Sequence, residues 1–515
     1  MKKLFVLFLA TVLLLGGCSV QRATPEASTQ TPATTVEPET PIRKENGGFG
    51  LSYLNAYGLN PYTCTSTVNR ALLSLLYESL FVVSDQYRAE PVLCDTFTVS
   101  DDGKTYTIRL VSGVRFSNGI ALTAEDVVAS LNAAKDSSIY RARLAHLAYA
   151  EATSSDTVVL TLTTAYENFC LMLDVPIVRA TTVERAEPLG TGPYCLAGSG
   201  KELRRNSYWW QEGAPVVDEE RIALNRAENS PQIRDAFEFG GTDLVYCDPN
   251  SPAAVSYRCD YEIWSAPTTV MHYIGFNLYS GYFVNDTLRT AVTKAVDRDT
   301  LVQDVYGGFA EAAVLPCSPR SDLYDTALAA GYTYTEQAFA AAVHNSEILS
   351  SENYVGHVGL FLVCSEDPVR VKAAEQICQV LTDAGLSMKM SVLDRDAYLQ
   401  ALNDGDFDLY YGEVRLTPNF DLREFFREDG ALGYGSISDA ALTAYCNSAL
   451  ENSGSYVDLC RELLARAPIC PVVFKDYAVY VTRGRIRTLT PTVDCVFHNS
   501  ADARSLSDAQ VYDAQ

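Results

Sequence analysis

The sequence predicts an α/β protein, because strand patterns and helix patterns alternate along most of its 515 residues. In the clearest stretch, a strand over 358–364 is followed by a helix over 369–384 and by a second strand over 386–393. A connection of this kind is typical of a parallel βαβ unit with a right-handed crossover. At roughly 150 residues per domain, the length allows about three folding units or one large two-lobed body.

Composition and charge exclude several classes of protein. With 47% hydrophobic and 20% charged residues, the chain lies in the globular range, so a wholly disordered chain is excluded. Asp and Glu number 64 against 40 Lys and Arg, which gives a net charge of -24. Since no basic run could replace the counterions of a polyanion, we expect neither nucleic acid nor anionic lipid as a partner.

Residues 1–17 have the pattern of a secretory signal peptide, in which Lys2 and Lys3 precede an apolar run over 4–15. This run is too short for a membrane-spanning helix, and no later stretch approaches about 20 apolar residues. The motif Leu15-Gly16-Gly17-Cys18 resembles the bacterial lipobox, which predicts cleavage before Cys18 and a lipid on that thiol. The alternative is an ordinary signal peptide followed by an incidental cysteine.

Residues 18–48 are rich in Thr, Pro and Glu and contain no aromatic residue. A segment of this composition cannot bury enough apolar surface to offset the entropy lost on ordering. We therefore expect an extended tether between the lipid and the folded body. Anchor and tether together predict a protein on the outer face of the cytoplasmic membrane.

Cysteine and histidine usage predicts neither a disulfide framework nor a metal centre. Lipidation of Cys18 would leave 13 of the 14 cysteines, an odd number that cannot pair completely. Several lie in apolar contexts, as in Leu93-Cys94 and Val363-Cys364, which favours buried thiols. The five histidines show no metal-binding spacing, so zinc is not expected and no cofactor is predicted.

The first half of the chain contains a predicted helix over 72–80 and two predicted strands. Apolar and polar residues alternate over 96–99 and 105–110, and the Asp-Asp-Gly between them is typical of a hairpin turn. Thr123 is expected to cap the next helix, because Asp126 lies three residues later and can accept a hydrogen bond from the cap amide.

A similar order returns later in the chain. We predict a strand over 273–278, then a helix with Asp286 as its N-cap. That helix should end near Asp297-Arg298, which we expect to form a salt bridge rather than to contact a ligand. After the βαβ unit, a helix over 396–402 and a strand over 407–411 follow.

A run of ordered motifs extends through nearly everything from about residue 50 onward. They are Tyr77-Glu78-Ser79-Leu80, Pro91-Val92-Leu93, Val99 to Leu110, Gly113 to Gly119, Leu122 to Val127, Gly190 to Tyr194, Asn206 to Trp210, Gly275-Phe276-Asn277, Asp286 with Arg289 and Ala291, Ala295 to Arg298, and Gly405 to Leu409. In this order they resemble the signature of the family 5 extracellular solute-binding proteins. These are the peptide-, dipeptide- and nickel-binding components of bacterial ABC importers.

The resemblance implies a type II periplasmic-binding-protein-like fold of two lobes, which enclose a ligand, with an extra subdomain in the first lobe. By analogy, lobe one would comprise 49–270 and lobe two 271–475, and the chain would return to lobe one over 476–515. The hinge would be formed by Thr268 to Tyr273 and Val472 to Tyr480.

The resemblance also directs attention to the segment after the predicted strand 407–411. In peptide-binding members an Asp in this segment holds the α-ammonium of the peptide, but the matching position here is Val414. Glu413 or Asp421 could supply a carboxylate instead, and Arg415 suggests a ligand with an anionic group. The alternative is a solvated loop with an internal Glu–Arg pair. The candidate ligand-binding residues are Tyr411, Glu413, Arg415, Asn419 and Asp421.

The function implied by the resemblance is capture of a small solute, with a short peptide favoured, and delivery to the permease of an ABC importer. On this view the chain is a lipid-anchored monomer without catalytic residues. One alternative is a surface-anchored hydrolase, although the chain lacks Gly-x-Ser-x-Gly and His-Glu-x-x-His. Another is a solute sensor on the same fold.

Overall fold

Strands and helices alternate through the folded body, which confirms the α/β class. The computed structural model describes residues 48–211, 220–335, 337–347, 351–352 and 354–498. No helix within these ranges is long and apolar enough to cross a bilayer.

The predicted signal peptide, Cys18 and residues 18–47 of the predicted tether lie outside the described residues. Most cysteines within the described residues are buried thiols.

The described ranges contain seventeen strands and twelve helices. The strands are β1 (Phe49–Leu54), β2 (Phe81–Val83), β3 (Ala89–Pro91), β4 (Cys94–Val99), β5 (Thr105–Leu110), β6 (Leu147–Ala152), β7 (Thr157–Leu162), β8 (Tyr194–Leu196), β9 (Glu202–Arg205), β10 (Arg221–Ala227), β11 (Leu244–Cys247), β12 (Tyr261–Phe276), β13 (Ala310–Ala312), β14 (Gly359–Cys364), β15 (Met388–Leu393), β16 (Leu409–Arg415) and β17 (Ile469–Thr482). The helices are α1 (Thr67–Leu76), α2 (Ala124–Asp136), α3 (Ser230–Glu238), α4 (Asp286–Ala295), α5 (Arg298–Asp304), α6 (Thr326–Ala330), α7 (Ala338–Asn345), α8 (Pro368–Asp383), α9 (Arg395–Asp404), α10 (Arg423–Phe426), α11 (Ala440–Glu451) and α12 (Tyr456–Arg466).

The largest sheet has eleven strands in the order β15-β14-β16-β12-β17-β11-β1-β10-β9-β8, and β13 pairs with β17 outside this path. The long antiparallel strands β12 and β17 connect its two parts. Strands β14, β15 and β16 lie on one side of this pair, and β1 and β8 to β11 lie on the other. Side chains on the paired strands β12 and β17 therefore lie between the two parts of this sheet.

The predicted βαβ unit is confirmed. Strands β14 and β15 pair in parallel, and α8 connects them. Asp367 caps α8 by accepting hydrogen bonds from the Val369 and Arg370 amides, and Pro368 occupies the first turn, where its missing amide hydrogen is not needed. Strand β16 pairs in parallel with the other edge of β14, which places its carboxyl end beside β12.

A separate antiparallel sheet has the order β4-β5-β7-β6, and α2 packs against β6 and β7. The predicted hairpin between β4 and β5 is confirmed, and Gly103 takes a left-handed conformation in its turn, with φ of 66°. Thr123 and Asp126 form the predicted capping box of α2. This sheet lies within the range predicted for lobe one, and its assignment as the extra subdomain stays a prediction.

Three predicted elements have wrong boundaries, with errors between one residue and twelve residues. Helix α1 spans Thr67–Leu76 rather than 72–80, because Tyr77 is extended and the backbone of Ser79 pairs with Pro176. Asn285, not Asp286, caps α4 by accepting from the Leu288 amide at 3.1 Å. Strand β12 begins twelve residues before the predicted strand over 273–278, because it continues alongside β17.

Asp297 and Arg298 do not form the salt bridge that we predicted. Asp297 caps α5 by accepting a hydrogen bond from the Thr300 amide at 3.1 Å. The buried guanidinium of Arg298 instead donates to the carbonyl oxygens of Thr293 and Pro471, each at 2.8 Å. Arg298 therefore links α4 to β17 from inside the protein.

The two predicted hinge segments lie side by side in β12 and β17. The register of this pair shifts between Pro267 and Met271 and again between His272 and Tyr273. An irregular ladder at this point means that fewer regular hydrogen bonds resist bending. The hinge itself stays a prediction.

Candidate ligand-binding site

Strand β16 carries three of the five predicted ligand-binding residues. It extends to Arg415, so the predicted strand end at residue 411 is wrong, because β12 continues beside it and pairs Val270 with Arg415. Side chains two residues apart on a strand lie on the same face. Tyr411, Glu413 and Arg415 therefore project from one face of β16.

Tyr411 is fully buried. Its hydroxyl lies 3.0 Å from the Tyr306 hydroxyl, and its carbonyl oxygen accepts a hydrogen bond from Tyr398 at 3.1 Å. The ring packs edge-on against His272 in the core. This placement fits a supporting role, and ligand contact by Tyr411 stays a prediction.

Glu413 lies at the centre of a charged network beside the paired strands β12 and β17. One of its carboxylate oxygens is 2.8 Å from Nε2 of His272 and 3.7 Å from Nζ of Lys475. Lys475 also contacts Asp248 at 2.7 Å, and Nδ1 of His272 lies 2.6 Å from the Tyr306 hydroxyl. His272 and Lys475 are buried, whereas the Glu413 side chain is 35% exposed. Glu413 is thus the solvent-facing member of the network.

The pKa values in this network follow from burial and charge. Burial lowers the pKa of His272, so its ring is neutral at neutral pH, with Nε2 assigned as donor to Glu413 and Nδ1 as acceptor from tyrosine. Burial alone would raise the pKa of Glu413. The hydrogen bond from His272 and the positive charges of Lys475 and Arg370 outweigh burial and lower that pKa well below its usual range. Glu413 is therefore ionised throughout the physiological range.

His272, Asp367 and Glu413 are the one group of described side chains whose ligand atoms lie close enough to share a metal ion, within 4.8 Å of one another. Both carboxylates already have cationic partners. Arg370 lies 3.1 Å from Asp367, and Lys475 lies 3.7 Å from Glu413. A divalent ion here would meet these two positive charges, so the geometry fits an ion-pair network better than a metal centre.

Arg415 and Glu413 do not pair with each other but have separate partners. The Arg415 guanidinium donates to the Tyr477 hydroxyl at 2.8 Å and lies 5.9 Å from the centre of the Tyr477 ring. Its positive charge also lowers the pKa of Asp494. Tyr477 lines a cavity of about 420 Å³, and Asp494 lines another of about 380 Å³. Arg415 therefore contacts Tyr477 in the wall of the first cavity and acts electrostatically on Asp494 in the wall of the second.

Asn419 lines the largest of these cavities, which has a volume of about 670 Å³. Its side-chain oxygen accepts a hydrogen bond from Thr417 at 2.7 Å. One side of the cavity is formed by residues between 81 and 171, and the other by residues between 321 and 323 and between 418 and 456. Aromatic and aliphatic side chains dominate the lining, among them Phe81, Tyr87, Phe97, Tyr166, Leu171 and Leu450.

Asp421 is engaged by a neighbouring arginine. Nε of Arg423 lies 3.0 Å from both carboxylate oxygens of Asp421, and another nitrogen of Arg423 contacts His146. Since His146 belongs to the small-sheet region, this contact connects the two sides of the large cavity. Direct ligand contact by Asp421 stays a prediction.

Further polar contacts close the rim of the large cavity. Arg88 forms a two-point ion pair with Asp322, at 2.7 and 2.8 Å. The Glu167 amide donates to the Leu450 carbonyl at 2.9 Å, and the Glu167 carboxylate accepts from the Ser453 amide at 2.6 Å. These residues could not be predicted from the sequence, because each contact joins positions more than 200 residues apart and no local pattern marks them.

Comparison with known proteins supports the resemblance seen in the sequence. A family model described as bacterial extracellular solute-binding proteins, family 5 middle, matches residues 88–426, which is more than half of the chain. The glutathione-binding protein GsiB of Escherichia coli O1:K1 / APEC is 27% identical over 272 residues, which cover 50% of this chain and 53% of that protein. The chain thus spans about half the length of the curated relatives it matches.

Two solved structures share the architecture. The murein tripeptide-binding protein MppA, in its unliganded open form, has a TM-score of 0.74 at 13% identity, and the match covers 92% of this chain and 100% of that one. The substrate-binding protein CtaP of Listeria monocytogenes has a TM-score of 0.72 at 18% identity, with 90% and 100% covered. These likenesses confirm the predicted type II binding-protein fold. Together with the family match, they show that the chain belongs to the family 5 bacterial extracellular solute-binding proteins.

Proposed function

We propose that this protein is the solute-capturing component of an ABC importer and that its solute is a short peptide. Family membership supports capture and delivery to a permease. A short peptide is supported by the names of two relatives, one a glutathione-binding protein and the other a murein tripeptide-binding protein.

The observation that carries this proposal is the 670 Å³ cavity with walls from two distant parts of the chain. Its volume lies within the range of about 300 to 1,000 Å³ that is usual for small-molecule sites. Its apolar lining suits peptide side chains, while Arg88, Asp95, Glu167 and Asn419 offer polar groups to the peptide backbone and termini. A ligand held there would touch both sides and so favour the closed arrangement.

A cavity-filling variant tests this site. Ala449 lies on α11 and lines the cavity, whereas Ala444 is exposed on the same helix. The wild type, Ala449→Trp and Ala444→Trp would each be dialysed against a mixture of di- to pentapeptides, and bound peptides identified by mass spectrometry. We expect retention by the wild type and Ala444→Trp and a loss of at least about tenfold in Ala449→Trp. No retention by the wild type, or equal retention by both variants, would reject the proposal.

The anchor and location belong to the same proposal. A lipid on Cys18 would hold the monomeric protein on the outer face of the cytoplasmic membrane, where a permease could receive the solute. Stable anchoring needs two acyl chains, since one gives only marginal membrane binding. Detergent phase partitioning of wild type against Cys18→Ala tests this, and equal recovery in the aqueous phase would exclude the anchor.

A further inference from the structure

Asp494 is a buried carboxylate that two arginines from distant parts of the chain contact. It lies in the segment that follows β17. One carboxylate oxygen contacts Arg70 of α1, and the other contacts Arg143 from the loop after α2. The three side chains are largely buried, with exposed fractions of 8% for Asp494, 18% for Arg70 and 15% for Arg143. Both oxygens of Asp494 are thus held by guanidinium groups, as the oxygens of a bound acid would be.

Arg415 adds a third positive charge from β16. Burial alone would raise the pKa of Asp494, but Arg143 and Arg70 outweigh it, Arg415 adds to their effect, and the pKa falls to about 2. The exposed side chain of Arg415 donates a hydrogen bond to the Tyr477 hydroxyl at 2.8 Å. By the predicted lobe boundaries, Arg415 lies in lobe two, whereas the other two arginines lie in lobe one.

The charges of this cluster do not balance. Arg143, Arg70 and Arg415 act electrostatically on Asp494, and Arg143 also acts on a second carboxyl, that of Asp174. Burial, and after it the charge of Asp494, raises the pKa of Asp174 to about 7, so this group is only partly ionised at neutral pH. The two buried arginines, Arg70 and Arg143, therefore carry slightly more positive charge than the two carboxyls balance, and the exposed Arg415 adds to this surplus from β16. Such a surplus is unfavourable unless an anion compensates it.

A ligand could reach the cluster through the 380 Å³ cavity, whose wall includes Arg70, Asp174 and Asp494. Two other carboxylates on the wall already have partners. Glu78 accepts hydrogen bonds from Trp210 at 3.0 Å and from Thr191 at 2.7 Å. Glu90 contacts His498 at 3.0 Å. The arginine end is therefore the part of this cavity that suits an acid, and the remainder suits polar or cationic groups.

The segment that carries Asp494 is fixed at several points. Arg485 at its start forms a buried ion pair with Asp243 at 3.0 Å. The Val493 carbonyl accepts a hydrogen bond from the Tyr246 hydroxyl at 3.0 Å, and Phe497 is buried. These contacts hold the carboxylate in place without the arginines, so it is presented to them at a high effective concentration.

We propose that Arg70, Arg143 and Arg415 form an anion site for a carboxylate of the ligand, and that Asp494 occupies this site from within the chain until a ligand carboxylate displaces it. Because Asp494 is tethered, a small free acid cannot compete with it. A ligand that makes further contacts in the cavities can compete with Asp494 for the arginines. The site thereby selects ligands that combine a carboxylate with additional binding groups, and its role in solute capture rests on the proposed function.

Chemical rescue of the full-length protein tests the site without knowledge of the ligand. In Asp494→Ala, sodium acetate at about 100 mM should raise the midpoint of thermal unfolding by about 2 °C or more relative to sodium chloride of equal ionic strength. The wild type should show no difference between the two salts. The double variant Asp494→Ala/Arg143→Met should lose the rescue, because one of the two contacting guanidinium groups is gone.

The remaining outcomes also decide the question. If Asp494→Ala does not fold in either salt, Asp494→Asn is measured in the same way, because it keeps the shape of the side chain. Acetate should then raise the midpoint of thermal unfolding by a smaller amount. Equal midpoints in acetate and chloride for both single variants, or failure of both to fold in acetate, would show that Asp494 is a fixed structural residue. Peptide retention by the wild type together with failed rescue would leave the proposed function standing and reject this site alone.

Discussion

Buried charged side chains in this protein depend on partners that lie far away in the sequence. Arg298 donates to Ala313 and Pro471, and Asp494 receives Arg70 and Arg143. A local pattern correctly indicated the helix cap at Thr123, whose partner Asp126 lies three residues later. Local patterns could not indicate contacts that form only when the chain has folded.

Removal of the Arg298 guanidinium should destabilise the protein strongly, because it would leave several buried carbonyl oxygens without donors. Hydrogen bonds from charged groups are individually strong, so Arg298→Ala should lower the free energy of unfolding by about 3 kcal/mol or more. Urea unfolding followed by circular dichroism measures this. The exposed Arg461→Ala should change it by less than about 0.5 kcal/mol. A loss below about 1 kcal/mol in Arg298→Ala would contradict the assigned role.

Asp174 should make stability depend on pH. Its folded-state pKa of about 7 lies above the unfolded value, so its contribution to stability is complete below the unfolded pKa and is lost as the pH rises through the folded pKa. Asp174→Asn removes this loss. The free energy of unfolding of Asp174→Asn, relative to that of the wild type, should therefore rise by at least about 1 kcal/mol between pH 5 and pH 8.

Urea titrations at the two pH values check this prediction for Asp174, with the exposed Asp235→Asn as the control. A difference between Asp174→Asn and wild type that stays constant over this range would show that Asp174 has an ordinary pKa.

At the scale of elements, strands β12 and β16 fix the candidate site through close cross-strand packing. Gly412 faces Tyr273, and Gly275 faces Tyr410. A Cβ on Gly412 would lie 2.6 Å from the Tyr273 ring, and one on Gly275 would lie 2.2 Å from the Tyr410 ring. Since both rings are buried, neither can move aside easily. These glycines let the tyrosines cover the backbone of the facing strand.

Gly412→Ala should consequently lower the free energy of unfolding by about 1–3 kcal/mol, the usual cost of overpacking. Gly198→Ala is the matched control, because a Cβ there meets no atom within 4 Å. The control should remain within about 0.5 kcal/mol of wild type. Equal thermal unfolding midpoints for the two variants would mean that the Tyr273 ring yields at little cost.

The elements themselves were mostly predictable from local patterns, whereas their ends often were not. The β4–β5 hairpin and the β14-α8-β15 unit have clear turn and cap signals. The extension of β16 to Arg415 depends on pairing with β12, which local sequence does not show. The sequence therefore indicated which residue types occur at the candidate site, but placed Glu413 and Arg415 in a loop rather than in a strand. Their partners Lys475 and Tyr477 come from β17, about 60 residues later.

At the scale of the whole molecule, the long strands β12 and β17 connect the two parts of the largest sheet, and the walls of the large cavity come from residues between 81 and 171 and between 321 and 456. The contacts between its two sides include the exposed ion pair of Arg88 and Asp322 and the packed rings of Tyr87 and Phe420. Exposed ion pairs contribute only about 0–1 kcal/mol each. We expect a ligand that touches both sides to shift the equilibrium toward the closed form by its differential affinity for that form.

The central claim is that a solute is enclosed between two lobes that close on it. Small-angle X-ray scattering of the wild type, without ligand and saturated with a peptide retained from the mixture, tests this most directly. We expect a smaller radius of gyration with peptide bound, and no change for Ala449→Trp under the same conditions. An unchanged radius of gyration for the wild type at saturation would contradict the account.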